Sequence, residues 1–390
     1  MLEREAMAVL VSAAGISYGR REMALRAAGS ATALLADPFA YTRALGEAGA
    51  SALCNMIRSG GMDRALDELR DKHVRLVMRG EENYPRHLTE IPHPPHMLFV
   101  WGDQNLNDPY PFAIVGTRKA SPYGVNHTRA IARELAQAGV CVVSGLATGI
   151  DAAAHRGALD TMGRTVAVLG GALDKFYPAQ NRSLMHAIIG NGGSVVTEYP
   201  LGMAPTKYSF LHRNRIIAGM ALGVLVAEGP QRSGALRTAE NALDYGRDVY
   251  ALPGNVDSVG SQLPHMLIRD GAQLCTCAKD ILDSLGIAGG AAVRSHKKQA
   301  AAPEPEQKQM AKPEAAPVRE AETAEIKRVM PKGLGAEEAA IWTILAEGEC
   351  DFDALCERSG MGSEELGALL MMMELDGVIE ALAGLHYRLA

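Results

Sequence analysis

PFAIVGTRKASPYGVNHTRAIARELAQAGVCVVSGLATGIDAAAHRGALD, residues 111–160, reads as strand, glycine turn, helix, strand, glycine turn, helix. FAIVG and VCVVSG are short apolar runs with little polar alternation, the mark of strands buried on both faces. VNHTRAIARELAQAG between them has the spacing of an amphipathic helix. The unit recurs downstream: TVAVLGG, GSVVTEY, GVLVAEG and DVYALPG are four more such runs, with helical stretches such as ALRTAENALDYG in the gaps. Strand and helix alternating in this way predict an α/β fold, a Rossmann-like, doubly wound and mostly parallel sheet. It is placed at residues 76–287.

The flanks are of a different make. Residues 1–75 are rich in Ala, Leu and Gly at helical spacing and predict an N-terminal helical cap or a SAM/helix-hairpin-helix-like domain. GISYGRREMALRAAGS (15–30) reads there as a helix pair around a glycine turn, and Arg20 and Arg21 alone make a poor phosphate grip, which favours the cap. Residues 288–332 are Ala, Pro, Glu and Lys with almost no large apolar residue; they cannot offset the entropy of folding and predict a disordered linker. In 333–390, AAIWTILAEG, DFDALCERSG and SEELGALLMMMELDGV read as three short helices closed by glycines, and IEALAGLHYRL as a hairpin. Three helices and a hairpin predict a C-terminal winged-helix domain.

A chain of 390 residues, 47% hydrophobic and 22% charged, is an ordinary globular composition of two or three domains. Glu3 and Glu5 precede the short apolar stretch near the N-terminus, so neither a signal peptide nor a membrane anchor is expected, and the location expected is cytoplasmic. Six cysteines without a CxxC pair predict free thiols and no structural metal. The net charge of −6 argues against a nucleic-acid partner until its distribution is considered. Residues 333–390 hold twelve acidic and two basic residues, which leaves the rest of the chain net positive.

In a doubly wound sheet, ligands bind beyond the carboxyl ends of the strands, where loops lead into helix N-termini. Glycines, hydroxyls and basic residues gather in those segments here. The first brings Gly116, Thr117 and Arg118, the second Ser144, Gly145 and Gly149, and the third Gly170 and Gly171 followed by Lys175, Asn181 and Arg182. A fourth, FLHRNRIIAG, is expected to open a helix with Arg213, Asn214 and Arg215, and a fifth carries Ser233 and Gly234. Glycine admits an anion to the backbone, and arginine matches phosphate with a planar fork. One phosphate would not need so many such groups, which points to a polyanion. Arg215, next to the apolar IIAG, is the arginine most open to a structural reading.

The runs VGTRKASPYG, SGLATGIDAAAHRGAL, TVAVLGGALDKFYPAQNR, HRNRIIAG, RSGALRTAENAL and LIRDGAQL together resemble the core of the DprA/Smf DNA-processing family over roughly residues 75–286. The resemblance implies a non-catalytic homodimer that binds single-stranded DNA, protects incoming transforming strands and loads the RecA recombinase, with no cofactor. The family's phosphate-gripping Gly-Ser-Arg turn falls on Gly116, Thr117 and Arg118, with the hydroxyl kept. Its basic position after Tyr-Pro falls on Ala179, which leaves Lys175 or Arg182 to supply the charge; Leu263–Met266 also depart from the family pattern.

Three other readings fit the sequence less well. A nucleotide phosphoribohydrolase-like enzyme would need a Pro-Gly-Gly-x-Gly-Thr-x-x-Glu run, and the segment Ser233–Glu240 lacks the double glycine and shortens the spacing to the glutamate. A duplex-binding regulator acting through the winged helix would meet duplex phosphate with an acidic tail. Asp151 and His155, four apart on one helix, could form an acid/base pair, but no nucleophile or third ligand keeps their spacing.

Overall fold

In the computed structural model the described residues are 1–13, 15–287 and, towards the C-terminus, 336–362, 366–367, 369–370, 373, 378–382 and 386–389. The expected linker, 288–332, lies outside them. The described residues fall into two compact units, divided after Ala291.

Five helices come first: α1 (Glu3–Ser12), α2 (Tyr18–Ala28), α3 (Ala31–Ala36), α4 (Thr42–Arg58) and α5 (Gly61–Asp71). The expected helix pair within 15–30 is a single helix. Ser17 caps α2 by accepting from the Arg20 amide, Gly29 ends it at φ +78°, and Gly19 sits in its first turn without breaking it. An antiparallel strand pair, β1 (Arg75–Met78) and β2 (Met97–Gly102), leads into the repeating part. That part runs β3 (Pro111–Val115), α6 (Pro122–Gln137), β4 (Cys141–Ser144), α7 (Ile150–Leu159), β5 (Thr165–Val168), α8 (Arg182–Gly190) and β6 (Ser194–Thr197). It continues α9 (Lys207–Met220), β7 (Gly223–Val226), α10 (Gly234–Asp244), β8 (Asp248–Ala251), α11 (Gln262–Arg269), β9 (Gln273–Leu274) and α12 (Ala278–Ser284).

The nine strands make one sheet in the order β1-β2-β6-β5-β4-β3-β7-β8-β9. From β6 to β9 the neighbours are parallel, and β2 joins antiparallel to β6. All six runs read from the sequence are strands of this sheet, and apolar residues alternate between its two covered faces. Phe112, Ile114, Val142 and Leu225 face a core with Ile131, Leu135 and Ile281. Ala113, Val115, Val143 and Val226 face a second core with Ile216, Ile217, Ala239 and Leu267. The N-terminal helices do not stand apart: Leu10, Leu34 and Leu53 share a third core with Phe99 of β2, Val195 of β6 and Ile188 of α8.

Two features place the site. The chain winds outward from β3 through β4 and β5 to β6, then returns past β3 to β7, which makes the β3/β7 junction the topological switch point. The loops after β3, β4, β5, β7 and β8 therefore lie along one rim. Among the described residues no helix is long and apolar enough to cross a membrane, and no cluster of metal-ligating side chains occurs.

The second unit holds α13 (Ala336–Ala346), β10 (Cys350–Asp351), α14 (Phe352–Ser359), β11 (Ile379–Leu382) and β12 (His386–Leu389). Its antiparallel sheet has the order β10-β12-β11, over a core that includes Ile341, Leu345, Leu355 and Met373. Most of the expected third helix, SEELGALLMMMELDGV, including Met371 and Met372, lies outside the described residues.

Candidate nucleic-acid interface

The loop after β3 is clamped from both sides. The Thr117 amide donates to the Glu228 carbonyl at the end of β7 (2.7 Å), the Ile150 amide donates to the Thr117 carbonyl (3.2 Å), and the Thr148 hydroxyl donates to the Arg118 carbonyl (3.3 Å). Close approach explains two of its glycines. A Cβ on Gly116 would stand 2.7 Å from the Glu228 carbonyl oxygen, and one on Gly149, at φ +79°, 2.3 Å from that of Thr117. So held, the loop turns Arg118 outward. Its side chain is exposed, and its guanidinium lies 4.9 Å from the centre of the Phe210 ring. Among the described residues it makes no salt bridge within 4 Å, although, against the rise that burial imposes, its charge helps to lower the buried Asp151 carboxyl.

Phe210 is seated by the loop after β5, where Gly170 lets the ring come close, and the exposed Tyr177 packs against it with ring centres 5.9 Å apart. Lys175 and Arg182 on that same connection are both exposed. Arg118, Phe210 and Tyr177 thus form a cationic and aromatic knot on the rim. Phe210 carries no sequence signal beyond its place on α9, three residues before Arg213.

The HRNR run does not open a helix. Thr206 and Ser209 form a capping box, each amide donating to the other's hydroxyl (2.8 and 3.0 Å), so α9 begins at Lys207 and the run falls in its middle. Its polar side chains consequently meet internal partners. Arg213 is buried and donates to the carbonyls of Gly145 (2.8 Å) and Val168; burial lowers it to about 10. The Asn214 amide donates to the Gly234 carbonyl (3.0 Å). Arg215 donates to Glu198 and to the His93 carbonyl (2.7 Å). Burial alone would raise the Glu198 carboxyl, but Arg215 and His212 outweigh it and hold the group at about 2.

Other named residues also have framework partners. The Ser144 hydroxyl is buried and donates to the Ile114 carbonyl (2.6 Å), and Asn181 donates to the Leu146 carbonyl (2.9 Å). Gly145 leaves room for the Arg213 guanidinium, Gly171 for Pro205, and Ser233 caps α10 just before the exposed Gly234. Asp151 and His155 do not meet. The His155 Nδ1 pairs with the Thr165 hydroxyl (2.8 Å) and burial holds the imidazole neutral down to about 3, whereas Asp151 accepts from the Ala147 amide (3.3 Å). Glu240, the residue aligned with the phosphoribohydrolase glutamate, is paired with Arg237 on the same helix at 3.3 Å.

Fold and rim define a doubly wound α/β protein with an exposed cationic and aromatic edge at its switch point, followed by a winged helix. The chain belongs to the DNA recombination-mediator protein A family, whose model matches residues 75–286; a DprA winged helix domain matches residues 312–384. Over 224 residues the chain is 41% identical to protein Smf of Escherichia coli K12, covering 57% of this chain and 60% of that one. Over 202 residues it is 44% identical to the DNA processing protein DprA of Streptococcus pneumoniae R6, covering 52% and 71%. The X-ray structure of Streptococcus pneumoniae DprA aligns with a TM-score of 0.62 at 33% identity over 73% of this chain and 98% of that one. The matched region is thus about three-fifths of the length of the Escherichia coli relative.

Proposed function

We propose that the rim binds single-stranded DNA through its phosphates and performs no chemistry on it. The observation that carries this is Arg118: an exposed guanidinium with no paired carboxylate among the described residues, fixed by a loop clamped at both sides. A guanidinium in that setting is free to give a fork of hydrogen bonds to phosphate, and the adjoining Phe210 and Tyr177 rings offer stacking faces to unpaired bases. Lys175 and Arg182 extend the basic track; Gly116, Thr117, Gly149 and Ser233 shape it. Membership of a recombination-mediator family supports a DNA partner. The phosphoribohydrolase-like alternative is disfavoured by the surface pairing of Glu240.

On this reading the protein is a cytoplasmic homodimer that covers incoming transforming strands and loads RecA onto them. The test is a titration of the full chain with a dT oligonucleotide and with a duplex of equal length, at several salt concentrations. Tighter binding of the single strand, weakening as salt rises, is expected. Equal or tighter binding of the duplex would overturn the proposal.

A further inference from the structure

The rim carries a second feature that phosphate binding does not use. Beside the loop after β3, the loops after β7 and β8 enclose a cleft of about 420 Å³ lined by Ser121, Tyr123, Glu228, Pro253, Asn255 and Ser258. It opens at the switch point, and its volume suits a small organic ligand. Glu228 is 5% exposed, yet it lines this cleft. One carboxylate oxygen accepts from the Ser121 amide at 2.8 Å. The other lies against Gly260, and a Cβ on Gly124 or Gly260 would strike the carboxylate, so two glycines leave room for it in a fixed position. Tyr123 supplies a ring that is 44% exposed and tethered by its hydroxyl to the Pro253 carbonyl (2.6 Å).

An anionic side chain on a phosphate-gripping edge repels the backbone that the edge is built to hold; beyond accepting from the Ser121 amide, what it can offer a strand is acceptor capacity toward a base. A carboxylate is an acceptor at both oxygens, each with two lone pairs, and it selects a partner presenting adjacent donors. Among the bases only guanine does so, with N1–H beside the N2 amine. Adenine and cytosine each set a ring-nitrogen acceptor beside the amine, and thymine flanks its single N–H with two carbonyls. An acceptor facing a fixed carboxylate is repelled.

We propose that this cleft is a guanine pocket: the base enters beside Tyr123 and Glu228 receives its N1–H and N2 amine, so that a strand held by its phosphates is read at one base. The inference rests on the single-strand reading above. The experiment compares the full chain's affinity for a dT 20-mer with the same strand carrying one central dG, one central deoxyinosine, which lacks the N2 amine, or one central 7-deaza-dG, which keeps both donors. The dG and 7-deaza-dG strands are expected to bind about tenfold tighter than all-dT, since a good bidentate base contact discriminates by that order, and deoxyinosine is expected to lose most of the gain. In Glu228→Gln the dG and all-dT strands are expected to bind within about twofold of each other. If that variant does not fold, the deoxyinosine comparison in the natural protein decides. Equal binding of all four strands by the natural protein, or a dG preference kept in Glu228→Gln, overturns the pocket alone. Failure to bind any of the strands overturns the single-strand reading and the pocket with it.

Discussion

Arg118 and Arg215 are the same residue type, both in runs that resemble one family, yet the fold uses them in opposite ways. Arg118 sits on a loop between β3 and α6, where nothing continues its backbone ladder, and its charge faces solvent over the Phe210 ring. Arg215 sits inside α9, whose helical course turns it into the gap between α9 and the end of β6, where it meets Glu198 and the His93 carbonyl. Each position makes its arginine unfit for the other's task. A guanidinium already satisfied by a buried carboxylate has little left for a phosphate, and one without a carboxylate contributes little to the fold. Of these two arginines, one holds the framework and the other is left for the proposed ligand.

The largest expected effect is on the inner arginine. Arg215→Ala removes the guanidinium from the mostly buried Glu198 and leaves only His212 beside it, a loss of up to roughly 3–5 kcal/mol of stability for a broken buried pair. Thermal or urea unfolding checks it; a melting temperature equal to that of the natural protein would erase the distinction between the two arginines. Acid sharpens the same contrast. Burial lowers His155 to about 3 and His96 to about 4 from the usual 6.5. Their contribution is complete above pH 6.5 and fades as pH falls toward those values. Glu198 contributes fully above its usual 4.5 and loses this as pH falls toward 2. Melting curves of the natural protein should therefore decline below pH 6.5 in parallel with those of Arg118→Ala. Arg215→Ala should lack only the share of the decline below pH 4.5 that Glu198 supplies.

The outer arginine is expected to act on DNA binding. Arg118→Ala should weaken dT oligonucleotide binding by about 1.5–3 kcal/mol, ten- to a hundredfold, with an unchanged melting temperature. Arg118→Lys should recover part of that, since it keeps the charge without the fork. Unchanged affinity in a folded Arg118→Ala protein would remove the proposed site. The smallest effect is expected from Phe210→Leu, which retains apolar bulk near Gly170 and removes the ring face beneath the guanidinium. A cation–π contact at an exposed position is worth about 0.5–1 kcal/mol; this one is internal to the protein and acts on DNA through the orientation of Arg118, so its loss should lower affinity by no more than about two- to fivefold in the same titration.

The six apolar strands and the glycine-ended loops were legible in the sequence because a strand buried on both faces must be apolar throughout, whatever it neighbours. The same property made the family motifs visible, and with them Arg118, whose neighbours Gly116 and Thr117 are local chain features. Other features depended on distant chain. FVWG of β2 looks like any other apolar strand; its antiparallel place beside β6 comes from a partner almost a hundred residues away. HRNR read as a helix start because its polar residues resemble a first turn, whereas Thr206 and Ser209 had already started the helix. Phe210 and Glu228 gained their positions only when α9 met the loop after β5 and β7 met β3. Periodicity and local glycine chemistry, which the chain carries within a few residues, determined the fold class and the rim. Which arginine is exposed, which ring lies beneath it and which carboxylate lines the cleft were decided by tertiary packing, because burial and charge pairing belong to segments brought together from far apart in the chain.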